Sequence, residues 1–197
     1  MSENLEIEFK TLLSMPEYER LLRLFSHVKP IRQTNFYFDT PELSLREQRL
    51  ALRIRCFKNA AEMTLKVPQD IGNMEHNIAL ALDEAERLIA QNAITDCCED
   101  ITEITDILNE ANLDVSAIGC IGSLTTTRRE CHTSIGLEAL DANEYLGTSD
   151  YEFELEVDEE SRGHLDFEAF LKKNDIEFRY ARSKVVRFLD TLRHRKK

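Results

Sequence analysis

Glu6, Glu8 and Lys10 alternate with Leu5, Ile7 and Phe9 near the start of the chain. Side chains in a strand have period two, so this stretch puts three apolar residues on one face and two carboxylates and an ammonium on the other. Carboxylates at that spacing can share a divalent cation, and a lysine beside them can hold an anion. The arrangement returns along the chain. Arg53 and Arg55 oppose Leu52, Ile54 and Cys56; Thr64 and Lys66 share the polar face of the next run; Glu75 and Asn77 share a side of a weaker one. Later, Glu152, Glu154 and Glu156 alternate with Tyr151, Phe153, Leu155 and Val157. Sorted by sign, the polar faces carry Lys10, Arg53, Arg55, Lys66, Arg128 and Lys184 against Glu6, Glu8, Glu75, Asp141, Glu152, Glu154 and Glu156. Arginine forks hold phosphate oxygens in pairs and lysines add point charges. Carboxylates without nitrogen or sulfur partners suit Mg2+ or Mn2+. His27, His76, His132, His164 and His194 sit in unrelated contexts, which disfavours zinc. No P-loop, GxGxxG or nucleophile elbow is found. A cationic wall and a carboxylate–metal wall together suit a linear polyphosphate: the cations neutralise its oxygens, and the metal polarises a phosphoryl group and orients the attacking water.

The elements that must carry these residues are mostly strands. Ser14 with Glu17 three residues on forms a capping box for a helix ending near His27, before Lys29-Pro30. Strands follow over Gln33–Thr40, Leu50–Cys56, Glu62–Val67 and Met74–Leu80, with a short helical turn at Leu43–Gln48. Tyr37 and Asp39 read as closing the turn before it, and Cys56 as core. From Asp83 to about Ala117 the apolar spacing turns helical and the charge acidic, giving a helical lobe with a solvated acidic face. Strands resume at Leu124–Cys131 and Leu137–Asp141, with turns at Ser134–Gly136 and Asn143–Gly147, then Tyr151–Val157. Phe167–Asn174 reads as a helix, and Phe178–Arg195 as a basic helix centred on Lys184. Arg129 and Arg187 read as surface residues. The expected class is α+β: one domain over residues 1–197 with a helical insertion at about 83–118. A solvent-facing sheet rarely accumulates charge pairs such as Arg53/Arg55 and Glu154/Glu156 on strand after strand. A barrel lined by them would need such pairs, since buried charges must be paired or bind ions, and eight strands leave room for one small ligand.

Composition sets the outer bounds. At 197 residues, 42% hydrophobic and 31% charged, the chain is an ordinary globular one, with no apolar run able to span a membrane. The net charge of −12 argues against a nucleic-acid surface. Five cysteines with no CxxC pair, Cys97 and Cys98 adjacent, point to a reducing cytoplasm rather than a disulfide framework.

In the order of their motifs, these residues resemble the CYTH domain, the triphosphate tunnel metalloenzymes of the short Gram-positive bacterial type. Glu6-Ile7-Glu8-Phe9-Lys10 is similar to the family's ExExK signature, Arg53-Ile54-Arg55 to its paired-arginine strand and Thr64-Leu65-Lys66 to its lysine strand. Arg128, Asp141, the Glu152–Glu156 strand and Lys184 resemble the later arginine, the aspartate, the ExE metal strand and the lysine of the C-terminal helix. The resemblance implies an eight-stranded antiparallel β-barrel tunnel flanked by helices and hydrolysis of a triphosphate with Mg2+ or Mn2+. Carried over, Lys10, Arg53, Arg55, Lys66, Arg128 and Lys184 would bind phosphates. Glu6, Glu8, Asp141, Glu154 and Glu156 would hold the metal or its waters, with Glu152 competing for one of the ExE places. Lys10, Glu6 and Glu8 would stand nearest the chemistry. Met74 replaces the basic residue that often precedes the middle acidic strand, and Asn77 a second acid there. The family spans inorganic triphosphatases, thiamine triphosphatases, RNA triphosphatases and class IV adenylate cyclases. Inorganic triphosphate or a nucleoside triphosphate is the expected substrate. ATP cyclisation, thiamine triphosphate and a non-catalytic polyphosphate or nucleotide sensor are the alternatives. The absence of tryptophan removes the usual platform for a thiamine ring, and the acidic surface disfavours an RNA end. Neither a membrane nor a nucleic acid is expected as partner, and homodimerisation is left open.

Overall fold

The computed structural model describes residues 1–95 and 101–195. Asp96, Cys97, Cys98, Glu99 and Asp100, part of the acidic stretch, lie outside the described residues. The described residues form, in chain order, eight strands and six α-helices: β1 (Ser2–Leu13), α1 (Met15–Leu24), β2 (Ile31–Asp39), α2 (Ser44–Glu47), β3 (Ala51–Cys56), β4 (Ala61–Pro68), β5 (Asn73–Leu80), α3 (Leu82–Gln91), α4 (Thr102–Glu110), β6 (Gly119–Thr133), β7 (Gly136–Tyr145), β8 (Thr148–Val157), α5 (Glu160–Lys173) and α6 (Lys184–Arg195). The strands form a closed antiparallel barrel in the order β1-β5-β4-β3-β2-β6-β7-β8.

The residues pack as two compact units, each with its own core. The first comprises Met1–Leu5 and Thr34–Ser123, the second Glu6–Gln33 and Leu124–Lys197. In the first, Leu52, Ile54, Met63, Leu65 and Ile78 from β3–β5 meet Leu88 of α3 and Ile104 and Leu108 of α4. In the second, Leu140, Phe153 and Leu155 from β7 and β8 meet Leu21, Phe25, Phe167 and Phe170. In both, the apolar face of the strands lies under helices, so the charged face is turned to the inside of the ring. Among the described residues no helix is long and apolar enough to cross a membrane.

Local chemistry sets the boundaries. Ser14 donates from its backbone N–H and its hydroxyl to Glu17, at 2.7 and 2.6 Å, the expected capping box of α1. Asp39 accepts from the backbone N–H groups of Thr40, Leu45 and Arg46, so it serves the start of α2. Three of the differences from expectation have a clear local cause. β7 continues past Asp141 to Tyr145, because the hairpin is closed by only Leu146 and Gly147, both at positive φ (47° and 64°). α5 begins at Glu160 rather than near Phe167, because the Glu159 carboxylate accepts from the N–H groups of Ser161 and Arg162. The segment from Phe178 to Ser183 is not helical. It is held against β1, with Leu12 N–H donating to the Arg179 carbonyl at 3.0 Å and Arg179 N–H to the Thr11 hydroxyl at 2.8 Å.

Candidate active site

In the first unit the strand register builds a cationic group. Arg53 stands opposite Thr64 on β4, which stands opposite Asn77 on β5, and Lys66 stands opposite Glu75. Lys66 Nζ lies 2.7 Å from the Glu75 carboxylate, and an Arg53 guanidinium nitrogen lies 3.7 Å from the same oxygen. Arg55 donates to the Asn35 side chain at 3.1 Å and pairs with Glu62 at 3.2 Å. Thr64 donates to Asn77 at 2.7 Å, so the asparagine in the second acid's place ties two strands together. Three cations thus face two carboxylates. Burial alone would raise the Glu75 carboxyl, but Lys66 and Arg53 hold it below the ordinary range. Arg53 Nε is buried and has no hydrogen-bond partner. A buried guanidinium N–H without an acceptor is costly and suits an incoming anion.

In the second unit three carboxylates converge. Asp141 and Glu152 are fully buried and Glu154 is 8% exposed. One oxygen of each lies within 4.8 Å of the others. Their strands impose this: Asp141 of β7 is registered opposite Glu152 of β8 on one side and Arg128 of β6 on the other. Lys184, the first residue of α6, places its ammonium among all three, 2.9 Å from Asp141, 2.6 Å from Glu154, and in contact with Glu152. A cation at a helix N-terminus opposes the macrodipole, and these carboxylates offset that cost. Arg128 holds Asp141 with a fork of two hydrogen bonds, 2.8 and 2.7 Å, and also reaches Glu154 and Glu130. Lys10 contacts Glu8 and stands opposite Glu154.

Desolvation would raise Glu152 and Glu154, but Lys184 holds both below the ordinary carboxylate range, Glu154 far below it with the help of Arg128 and Lys10. Desolvation would likewise lower Lys184 and Lys10. Their carboxylate neighbours hold them above the usual lysine value, Lys184 far above. All these groups are therefore charged at neutral pH.

Glu6 and Glu156 share this inner face but lie outside the convergent trio. Glu156 stands opposite Glu8, one pair further along β8. Two residues beyond the expected set belong to it. Arg187 is half-buried rather than on the surface, its side chain 10% exposed, donating to Glu152 at 2.9 Å and pairing with Asp150 at 2.9 Å. Asn143, expected in a turn, donates to Glu152 and Asp150 at 3.0 Å each and accepts from Thr126 at 2.7 Å. Both had a signal in the sequence. Arg187 is one helical turn from Lys184, and Asn143 is two strand positions from Asp141.

The carboxylate trio fits a hard divalent cation on its chemistry: oxygen donors only, buried, convergent, and already gathered around one positive charge.

A closed antiparallel barrel of eight strands, with cations on β3 and β4 and a carboxylate trio on β7 and β8, defines the class of fold to which the chain belongs. The CYTH domain family model matches residues 4–189, and the chain belongs to that family. It is 32% identical over 195 residues, 98% of each chain, to the Bacillus subtilis (strain 168) protein named "Putative triphosphatase YjbK". A Bacillus halodurans protein described as a "putative adenylate cyclase" shares 34% identity, with a TM-score of 0.86 over 95% of this chain and 99% of that one. The fold is also that of Hippeastrum HpAC1, at 24% identity and a TM-score of 0.80 over 95% and 96% of the two chains.

Proposed function

We propose that the protein is a metal-dependent triphosphatase that hydrolyses a phosphoanhydride bond of inorganic triphosphate or of a nucleoside triphosphate. The observation that carries the reading is the buried trio Asp141, Glu152 and Glu154 packed around Lys184. The unpartnered Arg53 Nε among Arg55 and Lys66 supports the anionic half, and the Bacillus subtilis relative's name agrees with the class. In this reading Arg53, Arg55 and Lys66 bind and orient phosphate oxygens, and Arg128 and Lys184 neutralise charge as it moves to the leaving oxygen. Asp141, Glu152 and Glu154 would hold a Mg2+ or Mn2+ ion, and Glu6, Glu8 and Glu156 would orient its waters. When bound, that ion supplies Lewis-acid polarisation of the phosphoryl group. The Glu8–Lys10 pair positions the attacking water, and no side chain forms a covalent intermediate. Arg187 and Asn143 keep Glu152 in place. The three described free thiols, Cys56, Cys120 and Cys131, agree with a reducing cytoplasm as the setting.

The test is phosphate release from tripolyphosphate, ATP and thiamine triphosphate with Mg2+ or Mn2+, with cyclic AMP measured in parallel. Turnover of tripolyphosphate or ATP, abolished in Lys66→Ala and Glu154→Gln with circular dichroism unchanged, is the expected result. Cyclic AMP as main product would make it a cyclase. Binding without turnover would make it a sensor, and near-wild-type rates in either variant would overturn the assignment of the site.

A further inference from the structure

His76 stands outside the site described above, on β5, with its ring on the face opposite Glu75 and Asn77. The residue is only 8% exposed. Its Nδ1 lies 3.2 Å from a carboxylate oxygen of Glu3, near the start of β1, and 3.6 Å from one of Glu103, in the first turn of α4. That nitrogen is buried and makes no hydrogen bond to either. An unpartnered buried imidazole nitrogen facing two carboxylates is an unusual arrangement to keep, because burying it without a partner is costly. The three ligand atoms lie within 4.8 Å of one another.

The two separations from His76, 3.2 and 3.6 Å, match those of ligands shared by one ion. With Zn–N and Zn–O bonds of about 2.0–2.1 Å, tetrahedral geometry sets neighbouring donors about 3.3 Å apart. We propose that Glu3, His76 and Glu103 form a second divalent-cation site, selective for Zn2+ over Mg2+ and completed by water. The donor set decides the selectivity. One imidazole with two carboxylates favours a borderline transition ion, whereas the all-oxygen trio of Asp141, Glu152 and Glu154 favours a hard one. Pairing of His76 with Leu65 fixes the backbone from which the imidazole projects. The carboxylates of Glu3 and Glu103 are about half exposed, so they can turn onto the ion and leave a path for its entry. The ligands come from β1, β5 and α4, so the bound ion would clamp three segments of the first unit and stabilise it by mass action.

The experiment titrates the full-length protein with Zn2+, and with Co2+ for its visible absorption, in excess Mg2+ so that the carboxylate trio meets its preferred ion. The wild type, His76→Gln and Glu103→Gln are compared by calorimetry and thermal unfolding. The expected result is a Zn2+ ion bound at least about tenfold more weakly in each variant. Zn2+ should raise the unfolding midpoint of the wild type more than that of either variant, and Co2+ absorption should be strongest in the wild type. Equal Zn2+ affinity and stoichiometry in all three proteins would overturn the site, as would an equal Zn2+-induced midpoint shift. Glu103→Gln changes a half-exposed residue and so guards against a folding artefact at His76. Triphosphatase activity with Mg2+ is expected to be the same in all three, so failure here leaves the active-site reading standing.

Discussion

At the scale of single residues, Lys184 decides the state of the carboxylate trio. Its ammonium lies among Asp141, Glu152 and Glu154 and touches all three, while Arg128 holds Asp141 and Glu154 and Arg187 holds Glu152. Removing one partner of a buried ion pair leaves charge uncompensated, at a cost of about 3–5 kcal/mol. Lys184→Met is therefore expected to lower stability by that order at neutral pH. Because the ligand set then lacks its internal cation, Mn2+ should restore much of the loss. Urea unfolding with and without Mn2+ checks this: the gain on adding Mn2+ should be larger in Lys184→Met than in the wild type. Equal gains would show that Lys184 and the ion do not share the pocket. The individual charged residues were largely legible in the sequence, since Arg53, Lys66, Asp141 and Glu154 each stand at a definite parity on a strand. Arg187 was less so. On a helix of unknown rotation a basic residue three positions from Lys184 looks like any solvated arginine, and only the packing of α6 shows which face is buried.

At the scale of elements, α1 shows how one buried acid ties distant segments. Glu17 is 5% exposed. It caps its own helix through Ser14, accepts from Glu177 N–H at 3.1 Å and pairs with Arg179 at 2.6 Å, in the segment just before α6. Burial would raise its carboxyl, but the hydrogen bonds from Ser14, Glu177 and Arg179 hold it at about 2. The ordinary value is 4.5, so the folded form releases its proton more readily than the unfolded one. The resulting stability is complete above pH 4.5 and is lost as pH falls toward 2. Lowering the carboxyl from 4.5 to about 2 is worth roughly 3 kcal/mol, reduced to about 2 kcal/mol by solvent screening of the more exposed Arg179. Glu17→Gln is expected to lose about that much at pH 7 and to flatten the stability–pH curve between pH 4.5 and 2. Parallel slopes for the two proteins in pH-dependent denaturation would refute the linkage. The strands were legible because alternation survives in each of them. The ends of β7 and α5 were not. A two-residue turn beginning with Leu146 carries no strong signal at its first position, and a glutamate at the N-cap is less common than Ser, Thr, Asp or Asn. The extended Phe178–Ser183 segment has no periodicity of its own, since its backbone is matched to β1 rather than to itself.

At the scale of the whole molecule, the order in which eight strands close is set by pairings such as Lys10 with Glu154. Residue spacing does not encode contacts that remote; the likeness to a family implied a closed barrel but not the order of its strands. The net charge of −12 belongs to this scale too. Much of it lies on α3 and α4, where Glu86, Asp106 and Glu110 are exposed on helices that cover the outer, apolar side of the first unit's strands. Those acids touch none of the cations proposed to hold phosphate, so they can act on an anionic substrate only through the long-range field. That field repels the substrate and is screened over about 8 Å at physiological ionic strength. The combined variant Glu86→Gln, Asp106→Asn, Glu110→Gln removes three negative charges from the formal −12. It should raise kcat/KM for tripolyphosphate by about two- to threefold at low salt while leaving kcat unchanged, because only the encounter is altered. As salt is added, the two proteins should converge within about a tenth of a molar or so, where the Debye length falls to about 10 Å. The measurement is kcat/KM against ionic strength at fixed free Mg2+. A changed kcat, or a difference that persists at high salt, would mean that the acidic helices reach the chemistry by a route other than charge.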